Sequence, residues 1–282
     1  MVVLFLAQYR RQAPTMDRPL IVLDTETATL GSPPHLLELG AVRVIDGEIE
    51  DTFESLVCPA VPIDPGAQMI HGITEEDVRN ERWANQVLEE FTEWAGEDWF
   101  AAHNAGFDAR VLGFEYHRAG LTPPPGFFID SLDMAKQHIP ESPDHKLETL
   151  CQVLDLEEGE HHRALADAVW CWKVVEECLE RAGGLDQAKL TDHLAGRGRP
   201  MTVASRGPSE PRLSQRLRPL QRAAGEGALV TLLYGDGSGS PVPLKVLPKL
   251  LYDHKGVGYL EGECQRSGLL KTYRLDRVRK VK

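Results

Sequence analysis

The chain has 282 residues, 42% of them apolar, enough for one large domain and a small one and too many for wholesale disorder. Its apolar runs are short and broken by charge, which excludes a membrane-spanning helix of roughly 18–20 residues. The formal net charge of −12 conceals a split: residues 1–195 carry 14 Lys+Arg against 36 Asp+Glu, and residues 196–282 carry 17 against 7. An acidic part that would repel a nucleic-acid backbone unless cations intervene is joined to a basic part that would attract one, although a basic tail can also simply be solvated.

In chain order, residues 1–7 are apolar, but no basic segment precedes them and Arg10-Arg11 follow, the wrong order for a secretory signal. Residues 1–17 read as an N-terminal extension, with Met16 an alternative start. Leu20–Leu23 runs apolar up to Asp24 and predicts a buried strand. Leu39–Val44 alternates, Asp46-Gly47 offers a hairpin turn, and Glu48–Val57 returns as a third strand. Thr74-Glu75-Glu76-Asp77 has the form of a capping box, and Trp83–Trp94 has helical spacing with Val87, Leu88, Phe91 and Trp94 on one side. Trp99–Ala102 is a further strand, followed by a helix from about Ala105 to His117 that stops near Gly120. Phe127–Ile129 is a fifth strand, and helices follow over Ser131–Gln137, His145–Leu154 and Ala164–Arg181. Three strands in meander order, then strands alternating with helices, imply an α/β fold: a mixed five-stranded sheet flanked by helices, occupying residues 18–195. Residues 196–219 are rich in Gly, Pro, Ser and Arg without periodicity and predict a flexible linker. Residues 220–282 hold four strands, Ala228–Tyr234, Lys245–Tyr252, Gly256–Cys264 and Leu269–Leu275, a small basic β-domain without a long helix. The five cysteines, Cys58, Cys151, Cys171, Cys178 and Cys264, are scattered without Cys-x-x-Cys spacing, which argues against a cysteine-built zinc site and fits reduced thiols in a cytoplasm.

Asp24 and Glu26 end the first strand two residues apart, so both carboxylates project from one face. Like charges side by side are costly unless a cation neutralises them, although two solvated strand-end acids explain the pair as well. Asp108 lies in the first turn of its helix, an ordinary place for an acid, and Asn104 before it can serve as a cap. Asp167 is harder to dismiss. It shares a four-three-four spacing with Cys171, Val174 and Cys178, which puts a carboxylate on an apolar stripe, where it needs a partner. His162 precedes it by five residues and by itself could be structural or solvent-facing. Taken together these residues supply hard oxygen ligands suited to magnesium or manganese and one group able to take a proton near neutral pH.

The segments Asp24–Thr27 (Asp-Thr-Glu-Thr), His103–Asp108 (His-Asn-Ala-Gly-Phe-Asp) and His162–Ala168 (His-x-Ala-x-x-Asp-Ala) resemble, in order, the motifs of the DEDDh exonucleases. That family includes the proofreading subunit of bacterial replicative polymerase and ribonuclease T. The resemblance covers about residues 18–185. It implies a ribonuclease H-like fold and two-metal hydrolysis, with Mg²⁺ or Mn²⁺, that releases nucleoside 5′-monophosphates from a 3′ end. It makes Asp24, Glu26, Asp108 and Asp167 metal ligands, and His162 rather than the adjacent His161 the general base. His71-Gly72-Ile73-Thr74 resembles the family's element that packs against the terminal nucleotide, though a turn before a helix describes it equally. His71, Gly72 and Ile73, with Thr25, Thr27, His103, Asn104 and Phe107 from the motifs, are the candidate substrate contacts. The C-terminal stretch is similar, more distantly, to a WYL domain: Tyr259-Leu260-Glu261-Gly262 stands at the signature position without its Trp, and Tyr273–Val278 resembles the closing strand. Such modules are small β-barrels that bind nucleic acid or nucleotide ligands. Arg274 and Arg277, with Tyr259 and Tyr273 nearby, would suit phosphate contact and base stacking, or form salt bridges on a solvated sheet.

The leading expectation is a metal-dependent 3′→5′ exonuclease acting on single-stranded DNA or DNA 3′ ends, with no membrane partner and with a polymerase or repair partner left open. Two alternatives stand beside it: an RNA-trimming 3′→5′ exoribonuclease, because the same catalytic set cuts either sugar, and a ligand-sensing regulatory protein with an accessory nuclease domain.

Overall fold

Alternation along the first strand decides which chemistry faces which layer. The computed structural model describes residues 18–31, 33–156, 162–184, 186–195, 200–235 and 240–282. The expected extension 1–17 with Met16, His161, and linker residues 196–199 lie outside them. In chain order the first module runs β1 (Leu20–Thr27), β2 (Leu36–Ile45), β3 (Glu48–Leu56), α1 (Pro65–His71), α2 (Glu75–Val78), α3 (Ala84–Ala95), β4 (Trp99–Ala102), α4 (Gly106–Ala119), β5 (Phe127–Asp130), α5 (Ser131–His138), α6 (Leu147–Val153), α7 (Ala164–Arg181) and α8 (Gln187–Ala195). β6 (Met201–Thr202) and α9 (Val203–Arg206) follow.

The sheet has the order β3-β2-β1-β4-β5-β6. β1 pairs antiparallel with β2 and parallel with β4, so it sits at the centre. The β2–β3 turn uses Asp46 and Gly47, both with positive φ (51° and 92°), as a two-residue hairpin requires. Ile21 and Leu23 enter a core with Val87, Leu88 and Phe91 of α3 and Leu112 of α4. Leu20 and Val22 point the other way, against Trp172, Val175 and Cys178 of α7. Period-two alternation then carries Asp24 and Glu26 onto the α7 side. The helix α4 ends where expected: Gly120 takes φ 67° and its N–H reaches back to Tyr116 and His117. The Thr74–Asp77 capping box forms at α2.

Three expectations change. The sheet is six-stranded rather than five-stranded, because Met201 and Thr202 pair antiparallel with Phe128 and Phe127. A two-residue strand is too short to carry a period, so nothing local announced it. For the same reason residues 200–219 are not the structureless linker their composition suggests. Val203 of α9 is fully buried, and Gly113 of α4 meets Gly207 backbone to backbone, where a Cβ on Gly113 would lie 2.6 Å from Gly207 N. Third, a nine-residue helix, α10 (Arg218–Glu226), begins inside the expected linker, and its Leu220 and Ala223 cover the sheet.

That sheet is antiparallel, with β7 (Val230–Tyr234), β8 (Val242–His254), β9 (Val257–Cys264), β10 (Leu269–Arg274) and β11 (Val278–Val281) in the order β10-β9-β8-β7-β11. The expected small C-terminal β-domain is this five-stranded antiparallel sheet; no ladder joins β10 to β11 among the described residues, and α10 covers one face. The two modules pack against each other. Phe114 of α4 meets Tyr252 edge-on at 5.3 Å, and Leu250 joins them in a small core. Ser209 bridges to Asp253, whose N–H donates to the Ser209 carbonyl at 2.9 Å. Beside the apolar contact, Glu261 is 1% exposed, with Arg118 Nε donating to its Oε2 at 3.0 Å and His35 Nε2 lying 3.0 Å from its Oε1. Arg118 also donates to Glu115 Oε1 at 2.8 Å.

Candidate active site

The end of β1 and the first turns of α4 and α7 converge. Asp24 and Glu26 lie partly exposed on β1, Asp108 is buried in the first turn of α4, and Asp167 is buried in the first turn of α7. The four carboxylates are close enough to repel one another. Burial pushes Asp24 well above the usual carboxylate range, and Asp108, Asp167 and Glu26 push it further. Burial, then Asp167, Glu38 and Asp108, raise Glu26 to about 8. Burial raises Asp108 to about 7, against the opposing hydrogen bond from Thr25. A fold that gathers acids at this cost has a use for a cation, and the donors fit one: Glu26, His162 and Asp167 each offer a ligand atom within 4.8 Å of the others. His162 is exposed and holds φ 64°, a left-handed conformation uncommon away from glycine.

The remaining candidates divide. Thr25 is buried and its hydroxyl donates to Asp108 Oδ1 at 2.8 Å, so its side chain orients a carboxylate. Thr27 donates to the Thr29 carbonyl at 3.0 Å. Both ring nitrogens of His103 are engaged inside the fold, Nδ1 with Ser131 Oγ at 2.8 Å and Nε2 with the His145 carbonyl at 2.9 Å. Burial lowers His103, which suits a neutral ring tying the turn before α4 to the start of α5 and the loop before α6. Asn104 (φ 63°) and Phe107 are exposed beside Asp108, and Phe107 keeps 45% of its surface open.

A cleft of about 540 Å³ reaches Arg163, the residue after His162, and is lined by Leu56, Met69, Ile70, His71, Gly72, Ile73, Asp77 and Arg163. His71 is buried and lowered chiefly by that burial, and it senses Glu38 and His162 across the site. Its Nδ1 accepts from the Ile73 N–H at 3.0 Å, while Gly72 (φ 72°) caps α1. Ile73 packs inward with Ile63 and Val78. The apolar surface offered to the cleft is instead Met69, 87% exposed, and Ile70. Neither was singled out from the sequence, where the apolar pair just before His71 was the available signal. Arg274 and Arg277 lie elsewhere, on the C-terminal module. Arg274 donates to Asp276 Oδ2 at 2.7 Å and Arg277 is exposed. Tyr273 is buried in that module's core, and Tyr259 stacks on Tyr252 at 5.3 Å.

Residues 21–175 match the exonuclease family model of RNase T type, which spans more than half of the chain. The chain belongs to that exonuclease family. Residues 215–282 match the WYL domain model, so this exonuclease carries a WYL module. It is 36% identical over 152 residues to a DNA polymerase III of PolC type from Bacillus cereus, covering 54% of this chain and 11% of the relative. The PolC-type polymerase of Halalkalibacterium halodurans is 34% identical over 173 residues, with 60% and 12% covered. The chain therefore spans about a ninth of the length of these curated relatives. Among solved structures, exonuclease X in complex with 5′-overhanging duplex DNA is 30% identical, covering 62% of this chain and 98% of that one at a TM-score of 0.50. The E. coli ExoI–ssDNA complex shares the fold at 15% identity and a TM-score of 0.54, with 86% of this chain covered.

Proposed function

We propose that this exonuclease is a divalent-metal-dependent 3′→5′ enzyme that hydrolyses phosphodiester bonds at DNA 3′ ends and releases nucleoside 5′-monophosphates. The observation that carries this reading is the convergence of Asp24, Glu26, Asp108 and Asp167 with an exposed His162 beside them. The four carboxylates would hold two Mg²⁺ or Mn²⁺ ions. Such ions neutralise charge on both sides of an in-line phosphoryl displacement. Thr25 fixes Asp108 through its hydroxyl. His162, exposed at the surface, takes the proton from the attacking water at its imidazole nitrogen. Met69 and Ile70 give the terminal nucleotide an apolar wall, and Phe107, exposed beside Asp108, offers a ring for stacking.

DNA is favoured over RNA because exonuclease X, at 30% identity, was solved with duplex DNA, and because the PolC-type relatives are DNA polymerases. A polymerase or repair partner fits the same context. The test is a matched pair of 5′-labelled DNA and RNA oligomers with Mg²⁺ or Mn²⁺, comparing wild type with Asp24→Ala. Stepwise release of mononucleotides from the DNA 3′ end by wild type alone is expected. Faster RNA trimming would replace DNA by RNA, and equal products from wild type and Asp24→Ala would refute the assignment.

A further inference from the structure

A carboxylate that none of the three motifs contains stands in the acidic site. Glu38 pairs across the β1–β2 ladder with Glu26, and Gly40 pairs with Asp24. Directly opposed residues share a face, so Glu38 projects on the same side as the two β1 acids. It is fully buried. By charge and place it could be another cation ligand, but its oxygens are already committed. Arg163 Nη2 and Nε donate to Oε1 at 2.7 and 3.0 Å, Nε also reaches Oε2 at 3.3 Å, and the Ala164 N–H donates to Oε2 at 2.9 Å.

The two residues it grips follow His162 directly and open α7, which places Asp167 in its first turn. Arg163 at the helix N-cap makes no side-chain capping bond, so Glu38 satisfies an orphan N–H from across the sheet. Gly40 completes the seat. A Cβ at that position would lie 2.1 Å from Leu165 N and 2.3 Å from the Ala164 carbonyl carbon, so only glycine admits the helix backbone onto β2. His162 keeps its left-handed φ of 64° immediately before this anchored peptide. A non-glycine residue stays there when its surroundings hold it.

We propose that Glu38 is a positioning residue: it clamps the Arg163–Ala164 segment to β2 and thereby sets His162 and Asp167 against Asp24 and Glu26. The inference deepens the exonuclease reading and rests on it. What matters in this role is an acceptor at the right reach, not a negative charge. Glutamine keeps the reach and one carbonyl acceptor, enough for the Ala164 N–H while the half-exposed Arg163 turns to solvent, whereas aspartate keeps the charge and retracts both acceptors by one methylene.

The experiment compares Glu38→Gln, Glu38→Asp and Glu38→Ala with wild type and Asp24→Ala, in steady-state cleavage of a labelled DNA oligomer and in amide hydrogen exchange of the metal-free proteins. Glu38→Gln is expected to retain most of kcat. Glu38→Asp and Glu38→Ala should lose kcat by about 10- to 100-fold, the scale of a displacement near 1 Å, with KM within about twofold. Exchange at Ala164 and Leu165 should accelerate in the aspartate and alanine variants and stay near wild type in the glutamine variant. Wild-type kcat in Glu38→Asp together with an inactive Glu38→Gln would overturn the proposal, because charge would then be the requirement. Unchanged exchange in Glu38→Asp would overturn it as well. If Glu38→Ala does not fold, the aspartate–glutamine contrast decides. If wild type and Asp24→Ala release equal products, the exonuclease reading fails, and the exchange measurement still judges the clamp.

Discussion

Glu261 joins the two modules, and its removal measures how firmly they are joined. The carboxylate is 1% exposed, with Arg118 Nε and His35 Nε2 each 3.0 Å from one of its oxygens. Breaking a buried ion pair by deleting one partner costs about 3–5 kcal/mol, because the other charge is left uncompensated in a poorly solvated place. Here Arg118 keeps Glu115 at 2.8 Å, so Glu261→Ala is expected near the lower end, about 3 kcal/mol. For a protein of this size that lowers Tm by about 6–12 °C. The pH dependence has a definite sign. Burial pushes Glu261 upward, but the His35 hydrogen bond and the Arg118 charge outweigh it and hold the carboxyl below its usual range. A depressed acid stabilises fully above its unfolded value and loses that contribution as pH falls through its folded value. The stability gap between wild type and Glu261→Ala should therefore shrink as pH falls below about 4.5. Denaturant melts of wild type, Glu261→Ala, His35→Ala and the double variant measure both the loss and the coupling. A loss under about 1 kcal/mol, or a gap that widens in acid, would refute a docked interface held by this cluster.

Other outcomes follow from the site and the charge distribution. His162→Ala should still bind Mn²⁺ by calorimetry yet lose turnover by about 10²- to 10⁴-fold; loss of Mn²⁺ binding would make His162 a ligand instead of the proton acceptor. Glu26 and Asp108 are raised to about 8 and about 7, so the metal-free protein loses stability as pH rises through that range. Thermal stabilisation by Mn²⁺ should then be larger at pH 8 than at pH 5.5, and equal shifts would show that the acids do not repel as described. Replacing the exposed Arg277, Arg279 and Lys280 by alanine should flatten the salt dependence of DNA binding by about one unit of slope per lost phosphate contact. An unchanged slope would favour a ligand-sensing role for the WYL module.

Much of the catalytic layout is legible along the chain. Leu20–Leu23 running into Asp24 and Glu26 is a local pattern, and so is the apolar stripe that carries Asp167 down α7. Both rest on periods of two and 3.6, which neighbouring residues state by themselves. Tertiary structure alone decided the rest. Glu38 reads as one acid in an alternating strand until Arg163, 125 residues later, arrives on it. Gly40 reads as a weak spot in that strand until α7 lies against it. Met201-Thr202 has no period at all, and composition made its surroundings a linker, yet β5 offers a free edge that it pairs with. Glu261 stands where a ligand-binding signature is expected, and docking turns it toward His35 and Arg118. Hydrogen bonds, charge pairing and close packing depend on what comes within a few ångströms, and for these residues the partners lie far away along the chain.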